Sequence, residues 1–473
     1  MSTKISRTID RTELDNGVRV LSSYYPVRTI GIGFGLDQGS VFDPPGYEGL
    51  RHSAEHLLVK GAPGYPFRRA ARLLERRGSF DAHTTKFQIL VPYVMPAAKR
   101  FRKSFGQSFR VLAKLVALPT FNENNFELEK EAIIREIENY DADPAEHARE
   151  YLGRTLFGTD HPLAKSTLGN KETIRGLKRE TMTAYCQNLF DPKHVVVLSH
   201  GHLRHRNLVH AVEAFFRRYE KYLKQNPLPP SPYASDAGYH ETVKLLLQKR
   251  PQEVILRPEP LRLHQLPEEL GGVAIGCRAP ALPHPQQFAM EIVKYLLGGE
   301  LVERHAYMSG DLFYELREKR GLIYHTDEIE YEVSPWSGFF YFCFKTNRVH
   351  LERAEEAALN IFRGYRRDGI ARSRLEDVRQ MVDAHYVILR ENEDFQFLSW
   401  MLDAEIGGQP GSPDEYVKRI KAVTRRQVMD VVEEFLDPDR TMVRALVYPA
   451  PNSEPPAENV KETPQDLKIR PPD

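Results

Sequence analysis

The sequence predicts an α+β protein built from two homologous halves. Three observations carry that expectation: a helix–strand unit that occurs twice, a proline-rich break near mid-chain, and an alternation of strand-like and helix-like patterns on both sides of it. Residues 174–198 align without a gap on residues 420–444, so that Ile174 meets Ile420 and Asp191-Pro192 meets Asp437-Pro438, a constant offset of 246. Each copy reads as an amphipathic helix stopped at Asp-Pro and followed by a β-branched run, the pattern of a buried strand. Between the copies, QNPLPPSPYASDAG at 225–238 has no apolar period and reads as a linker. The expected domains are 1–224 and 241–448, joined by a linker at 225–240. The stretch 449–473 carries seven prolines and few large apolar residues, the composition of a disordered tail.

Residues 29–36, TIGIGFGL, alternate strictly, with Gly31, Gly33 and Gly35 on one face. This predicts a strand over which another backbone can pass closely. A phosphate-binding loop is excluded, because those glycines lie inside a period-2 run rather than in a strand-to-helix turn.

Composition removes several function classes. The chain has 66 basic and 65 acidic residues among 473, so whole-molecule charge gives no reason to expect nucleic acid or an anionic membrane as partner. Arg68, Arg69, Arg72, Arg76 and Arg77 recur at helical spacing and read as a solvated helix face. No stretch approaches the roughly 18 apolar residues of a membrane helix. With no apolar signal region at the amino terminus, the expected location is cytoplasmic. Cys186, Cys277 and Cys343 are too few and too scattered for a disulfide framework, and read as small buried hydrophobes. His200, His202 and His205 cluster after a strand pattern, but no carboxylate or cysteine accompanies them at metal-ligand spacing.

Chemistry concentrates after Gly49, where a helix begins with Leu50-Arg51-His52-Ser53-Ala54-Glu55-His56. Two histidines four apart share one helical face and can hold one zinc ion, and Glu55 beside them can act as a general base. A solvated helix that happens to bear two histidines is the bland alternative. A catalytic zinc needs a third protein ligand, and residues 127–140, ELEKEAIIREIENY, form a strong helix pattern with Glu129 and Glu136 seven apart, nearly two turns. One of the two could close the site while the other orients a histidine.

On these residues the chain resembles the pitrilysin superfamily of inverted-motif zinc peptidases, and in size and duplication its mitochondrial-processing-peptidase-type branch. GYEGLRHSAEHLLVKGAPGYP resembles the family's zinc-helix block, GSFDAHTTK its substrate strand, ELEKEAIIREIENYDADP its third-ligand helix, and DLFYELREKRGLIY a block in the second half. The likeness spans residues 12–448. It implies that each half is an antiparallel sheet packed with helices, with one Zn2+ per chain held by His52, His56 and Glu136. It further implies Glu55 as the base, Glu129 as the residue behind a ligand, and Arg317 and Tyr324 on the substrate backbone and the developing oxyanion. Phe80, Asp81, Ala82, His83 and Thr84 would bind substrate as an added strand, in a peptide-binding edge expected to run over 80–86. The activity implied is endopeptidase cleavage of extended peptides in a homodimer whose sites are shared between subunits; the alternative is a catalytically silent scaffold or a peptide-binding subunit. Ser53 and Ala54 replace a bulky apolar pair, Asp81 stands where the family usually has Asn, and Phe87 stands where an acidic residue is common. No second H-x-x-E-H occurs in the other half.

Overall fold

The computed structural model describes residues 9–98, 104–230, 237–249, 254–299, 308–408 and 412–450. They fall into two compact α+β units, each discontinuous in sequence. The first comprises Met1–Ile137, Ser166–Lys244 and Val382–Arg419, and the second Glu138–Lys165, Leu245–Met381 and Ile420–Asp473. The linear division expected at 225–240 therefore misses two stretches, because each half of the sequence lends the other unit a helical segment. The linker is also shorter than expected. Helix His205–Gln225 runs to its first residue and helix Ala237–Gln248 begins inside it, while 231–236 lie outside the described residues. Of the expected tail, Pro449 ends a strand and 451–473 lie outside the described residues.

The first unit holds a seven-stranded sheet. Its order is Asp10–Glu13, Arg19–Tyr24, Val195–Gly201, Thr29–Leu36, Ile89–Pro96 and Ser79–Phe80, with His83–Thr84 also pairing with Ile89–Pro96. The second unit repeats the pattern in five strands, Leu261–Leu263, Val443–Pro449, Leu270–Ala279, Gly338–Asn347 and Glu328–Val333. Neither sheet is wholly antiparallel: Arg19–Tyr24 runs parallel to Val195–Gly201, and Leu261–Leu263 parallel to Val443–Pro449. The parallel pair recurs at the same place in both sheets, as duplication requires. The repeated helices, Arg179–Leu189 and Arg425–Phe435, are offset by 246 at both ends.

Packing explains the alternating strand. Ile30, Ile32, Phe34 and Leu36 enter the core of the first unit. The opposite, glycine face receives helix Asp394–Ile406 of the same unit: a Cβ on Gly35 would stand 2.5 Å from Leu402 Cδ2, and one on Gly31 3.3 Å from Leu398 Cδ1. In the second unit helix Pro144–Phe157 sits against the corresponding strand, where a Cβ on Gly272 would lie 1.8 Å from the Pro144 carbonyl oxygen. The three cysteines are buried and free. Among the described residues no helix is long and apolar enough to cross a membrane.

Candidate metal centre

Helix Leu50–Leu58 is set by a buried polar anchor. The Asp43 carboxylate accepts the amides of Gly49 (2.8 Å) and Arg51 (3.0 Å), satisfying donors that the first helical turn leaves free. The Arg51 guanidinium returns to Asp43 at 3.2 Å, to Gln38 at 3.3 Å, and to the Phe42 carbonyl. Burial lifts the Asp43 carboxyl to about 6, with Arg51 and the two amides pulling the other way. Gly49 starts the helix at φ 88, a left-handed conformation, and a Cβ there would come 2.3 Å from the Leu168 carbonyl oxygen. Leu50, Ala54, Leu57 and Leu58 are buried in the core, which turns His52, Glu55 and His56 toward helix Glu123–Asp141.

On that second helix the seven-residue spacing separates two roles. Glu136 Oε2 lies 3.5 Å from His52 Nε2 and 3.6 Å from His56 Nε2. Glu129 stands behind His56, with Oε2 3.2 Å from Nδ1, and accepts Lys60 Nζ on its other oxygen at 2.6 Å. Glu55 Oε2 is 4.0 Å from His52 Nε2.

The residues fit a metal ion. Two ligand atoms bound tetrahedrally at zinc distances are about 3.4 Å apart, close to both histidine–Glu136 separations. One ligand atom from each of His52, His56 and Glu136 can be chosen so that all three lie within 4.8 Å of one another, the one such group among the described residues. Three protein ligands leave a fourth position open, as in a catalytic site. The electrostatics agree. Burial, aided by His56, pulls the His52 imidazole down to about 4, leaving it neutral as a ligand must be. Burial also pulls on His56, but Glu129, Glu136 and Glu55 outweigh it and hold its proton up to about 9. The cluster thus favours positive charge at the point where the nitrogens converge. Burial lifts the Glu55 carboxyl to about 7 against His56, with Glu136 and Asp81 adding to the rise.

The expected substrate strand forms the edge of the first sheet in two short pieces. Ser79 and Phe80 pair with Val94 and Tyr93, and His83 and Thr84 with Leu90 and Ile89. The edge is narrower than the expected 80–86, because the Thr85 and Lys86 carbonyls accept the Ser40 and Val41 amides at 3.0 Å each. Asp81 and Ala82 interrupt it, and the Asp81 carboxylate accepts the Ala82 amide at 2.9 Å.

In the second unit Arg317 and Tyr324 also come together. Arg317 lies in a π-helical turn, Tyr314–Glu318, a form frequent at functional sites. Its Nη1 donates to the Tyr324 carbonyl at 2.8 Å, and its guanidinium lies over the rings of Phe313 (4.9 Å) and Tyr324 (4.8 Å). The Tyr324 ring is 77% exposed. Of the histidines expected to follow a strand, His200 lies within strand Val195–Gly201, with its ring stacked on Tyr25 and tilted against Phe397, and His205 is bonded to Thr12 and Ser22. Sequence reasoning missed Asp43, Gln38 and Lys60. Lys60 continues the four-residue spacing of His52 and His56, a signal that was present; the Asp43–Arg51 pair had none.

Two duplicated α+β units, one of them bringing His52, His56 and Glu136 together with Glu55 beside them, are the fold and residue set expected of the inverted-motif metallopeptidase class. The chain belongs to peptidase family M16, in the pitrilysin superfamily. The family model described as insulinase (peptidase family M16) matches residues 19–171, and that described as the peptidase M16 inactive domain matches 176–382. The uncharacterized zinc protease YmxG of Bacillus subtilis is 24% identical over 448 residues, covering 94% of this chain and 99% of that protein. A probable mitochondrial-processing peptidase subunit beta of Schizosaccharomyces pombe is 27% identical over 46% of each chain. Among solved structures, a protease from Helicobacter pylori shares the fold with a TM-score of 0.76 at 16% identity, covering 94% of this chain and all of that one.

Proposed function

We propose that this protein is a zinc-dependent endopeptidase that cleaves extended peptides, one zinc per chain. The observation that carries the reading is the convergence of His52, His56 and Glu136 on one point, with Glu129 fixing the His56 ring and Glu55 beside the open position. When bound, zinc would polarise the scissile carbonyl and acidify the attacking water. Glu55 takes that water's proton and delivers it to the leaving amine nitrogen; the apolar burial that raises its carboxyl suits it to both transfers. Glu129, held ionised by its bonds to His56 and Lys60, keeps the His56 Nδ1 proton directed at itself and Nε2 turned toward the ligand position. Phe80, Asp81, Ala82, His83 and Thr84 receive the peptide as an added strand at the sheet edge, a mode that reads backbone and tolerates many side chains. Arg317 and Tyr324 of the partner subunit in a homodimer complete the site, Tyr324 hydrogen-bonding the oxyanion and Arg317 a neighbouring carbonyl.

The deciding experiment measures zinc content of the purified protein, then cleavage of a quenched flexible peptide with and without chelator. One zinc per chain with chelator-sensitive cleavage is expected. Zinc without cleavage would favour a peptide-binding subunit, and neither would favour a silent scaffold.

A further inference from the structure

A cavity of about 1110 Å³ opens in the first unit between helix Phe105–Ala117 and helix His205–Gln225, lined by no residue of the two helices that carry the metal centre. Its floor is apolar and buried: Ile30, Phe109, Leu118, Leu203, Phe215 and Tyr219 are each 6% exposed or less. Its rim is cationic, with Arg110, Arg204 and Arg218 exposed and Lys114 half-buried. Among the described residues no Asp or Glu lines it. Arg204 lies over the Tyr24 ring at 5.7 Å, and Lys114 Nζ donates to the Pro63 carbonyl at 3.3 Å, so both cations rest on neutral partners. Among the described residues Arg110, Arg204 and Arg218 make no ion pair.

Two physical arguments turn this hollow into a site. The hollow opens to solvent, and water held against its apolar floor is released at a gain in free energy when an apolar group takes its place. Its volume lies just above the roughly 300–1,000 Å³ typical of small-molecule sites, large enough for a long-chain ligand. Then, four cationic side chains on the lining with no acidic side chain among the described residues beside them give the rim a positive potential, which attracts an anion. The charge is not a general property of this chain. The lining holds four Lys and Arg (Arg110, Lys114, Arg204 and Arg218) and, among the described residues, no Asp or Glu, although the whole sequence has 66 basic against 65 acidic residues.

We propose that this cavity binds an anionic amphiphile: an acyl-type apolar tail on the Phe109–Phe215–Tyr219 floor, with its carboxylate or phosphate head at the cationic rim, beside Arg110 or Arg218. The shape of the charge distribution favours this over a nucleic acid, since the aromatic rings lie at the bottom of a hollow and not along an open stacking track. The proposal is independent of the peptidase reading and survives its failure.

The test is direct titration of the full-length protein with palmitate and with hexadecyl phosphate, each below its micellar concentration. Hexadecyltrimethylammonium, which carries the same tail on a cationic head, and inorganic phosphate serve as controls. Both anionic amphiphiles should saturate at one site, with either control at least tenfold weaker. Preference for hexadecyl phosphate over palmitate would identify a phosphate head, and the reverse a carboxylate. The double substitution Arg110→Glu, Arg218→Glu changes exposed side chains and should weaken palmitate at least tenfold while leaving the thermal midpoint in place. Ala214→Trp, which places bulk on the lining, should weaken both amphiphiles alike. Equal binding of the cationic amphiphile, or an Arg110/Arg218 double variant that is folded and binds palmitate like wild type, would overturn the proposal.

Discussion

At the residue scale the proposed metal centre divides labour among three carboxylates and two imidazoles that composition alone treats as equivalent, and substitution should separate them. Glu55 lies beside the converging ligands and is no closer than 4.0 Å to His52 Nε2, so Glu55→Gln should keep its zinc and lose hydrolysis by about 10²–10⁴-fold. Cleavage within a few percent of wild type would remove Glu55 as the base. Glu136→Gln should lose zinc outright, whereas Glu129→Gln should weaken it by roughly 10 to 100-fold through the His56 ring. Equal retention in both, measured by competition with a chromogenic chelator, would reverse the two roles. A separate expectation concerns His200, which is buried, donates Nε2–H to the Arg390 carbonyl at 2.7 Å, and is pulled by burial down to about 4. Its unfolded imidazole titrates near the usual 6.5, so between that pH and about 4 the unfolded chain binds the extra proton. His200 therefore stabilises the fold fully above the unfolded value and progressively less as pH falls toward 4. Denaturant unfolding at pH 7 and pH 5 should show this loss, and His200→Phe should reduce it; an unchanged pH slope would show that the imidazole takes its proton without unfolding. The grouping of His52, His56, Glu129 and Glu136 was legible because two histidines at four-residue spacing and two glutamates at seven each constrain a helix face, although spacing alone left the parts of the two glutamates open. Asp43 and Arg51 were not, since a buried ion pair made across eight residues of turn and helix start leaves no period.

At the scale of elements, the alternating run TIGIGFGL was legible as a strand, and its bare face as a place of close approach. What approaches it was not legible, because helix Asp394–Ile406 comes from more than 350 residues downstream and nothing local marks the pairing. The same holds for helix Pro144–Phe157 against Gly272 in the second unit. The parallel pair in each sheet was also missed, since a strand looks alike in sequence whichever way its neighbour runs. The glycine face gives a quantitative expectation. Gly35→Ala would drive a Cβ to 2.5 Å from Leu402 Cδ2 in a fully buried contact, an overpacking that costs about 1–3 kcal/mol. Leu402→Ala alone should cost about 2–5 kcal/mol by leaving a cavity. The double variant should be more stable than the sum of the two losses, by at least about 1 kcal/mol, because each lesion relieves the other. Strict additivity in denaturant unfolding would mean that the helix does not seat on this strand.

On the scale of the whole molecule, His52, His56 and Glu136 lie in one unit and Arg317 and Tyr324 in the other, so the proposed peptidase reading needs a contribution from both kinds of unit. The family resemblance implies that in dimeric members they come from different chains, as an isologous pair allows, with two identical composite sites. Mixing inactive variants decides this. Glu55→Gln and the double variant Arg317→Ala, Tyr324→Phe are each expected to be inactive alone, since every site in either homodimer carries a lesion. When they are dissociated together and reassembled, a mixed dimer in the shared arrangement has one doubly damaged site and one intact site. The intact one joins Glu55 of the second variant to Arg317 and Tyr324 of the first. Random reassortment makes about half the dimers mixed, so activity should recover to roughly a quarter of wild type if folding is equal and the sites are independent. Sites confined to one chain would recover nothing, because each would retain one lesion however the chains are paired. Zinc content should stay constant throughout, since neither variant alters His52, His56 or Glu136. Mixed dimers verified by differential tagging that still show no recovery would therefore sink the shared site and leave the metal chemistry untouched.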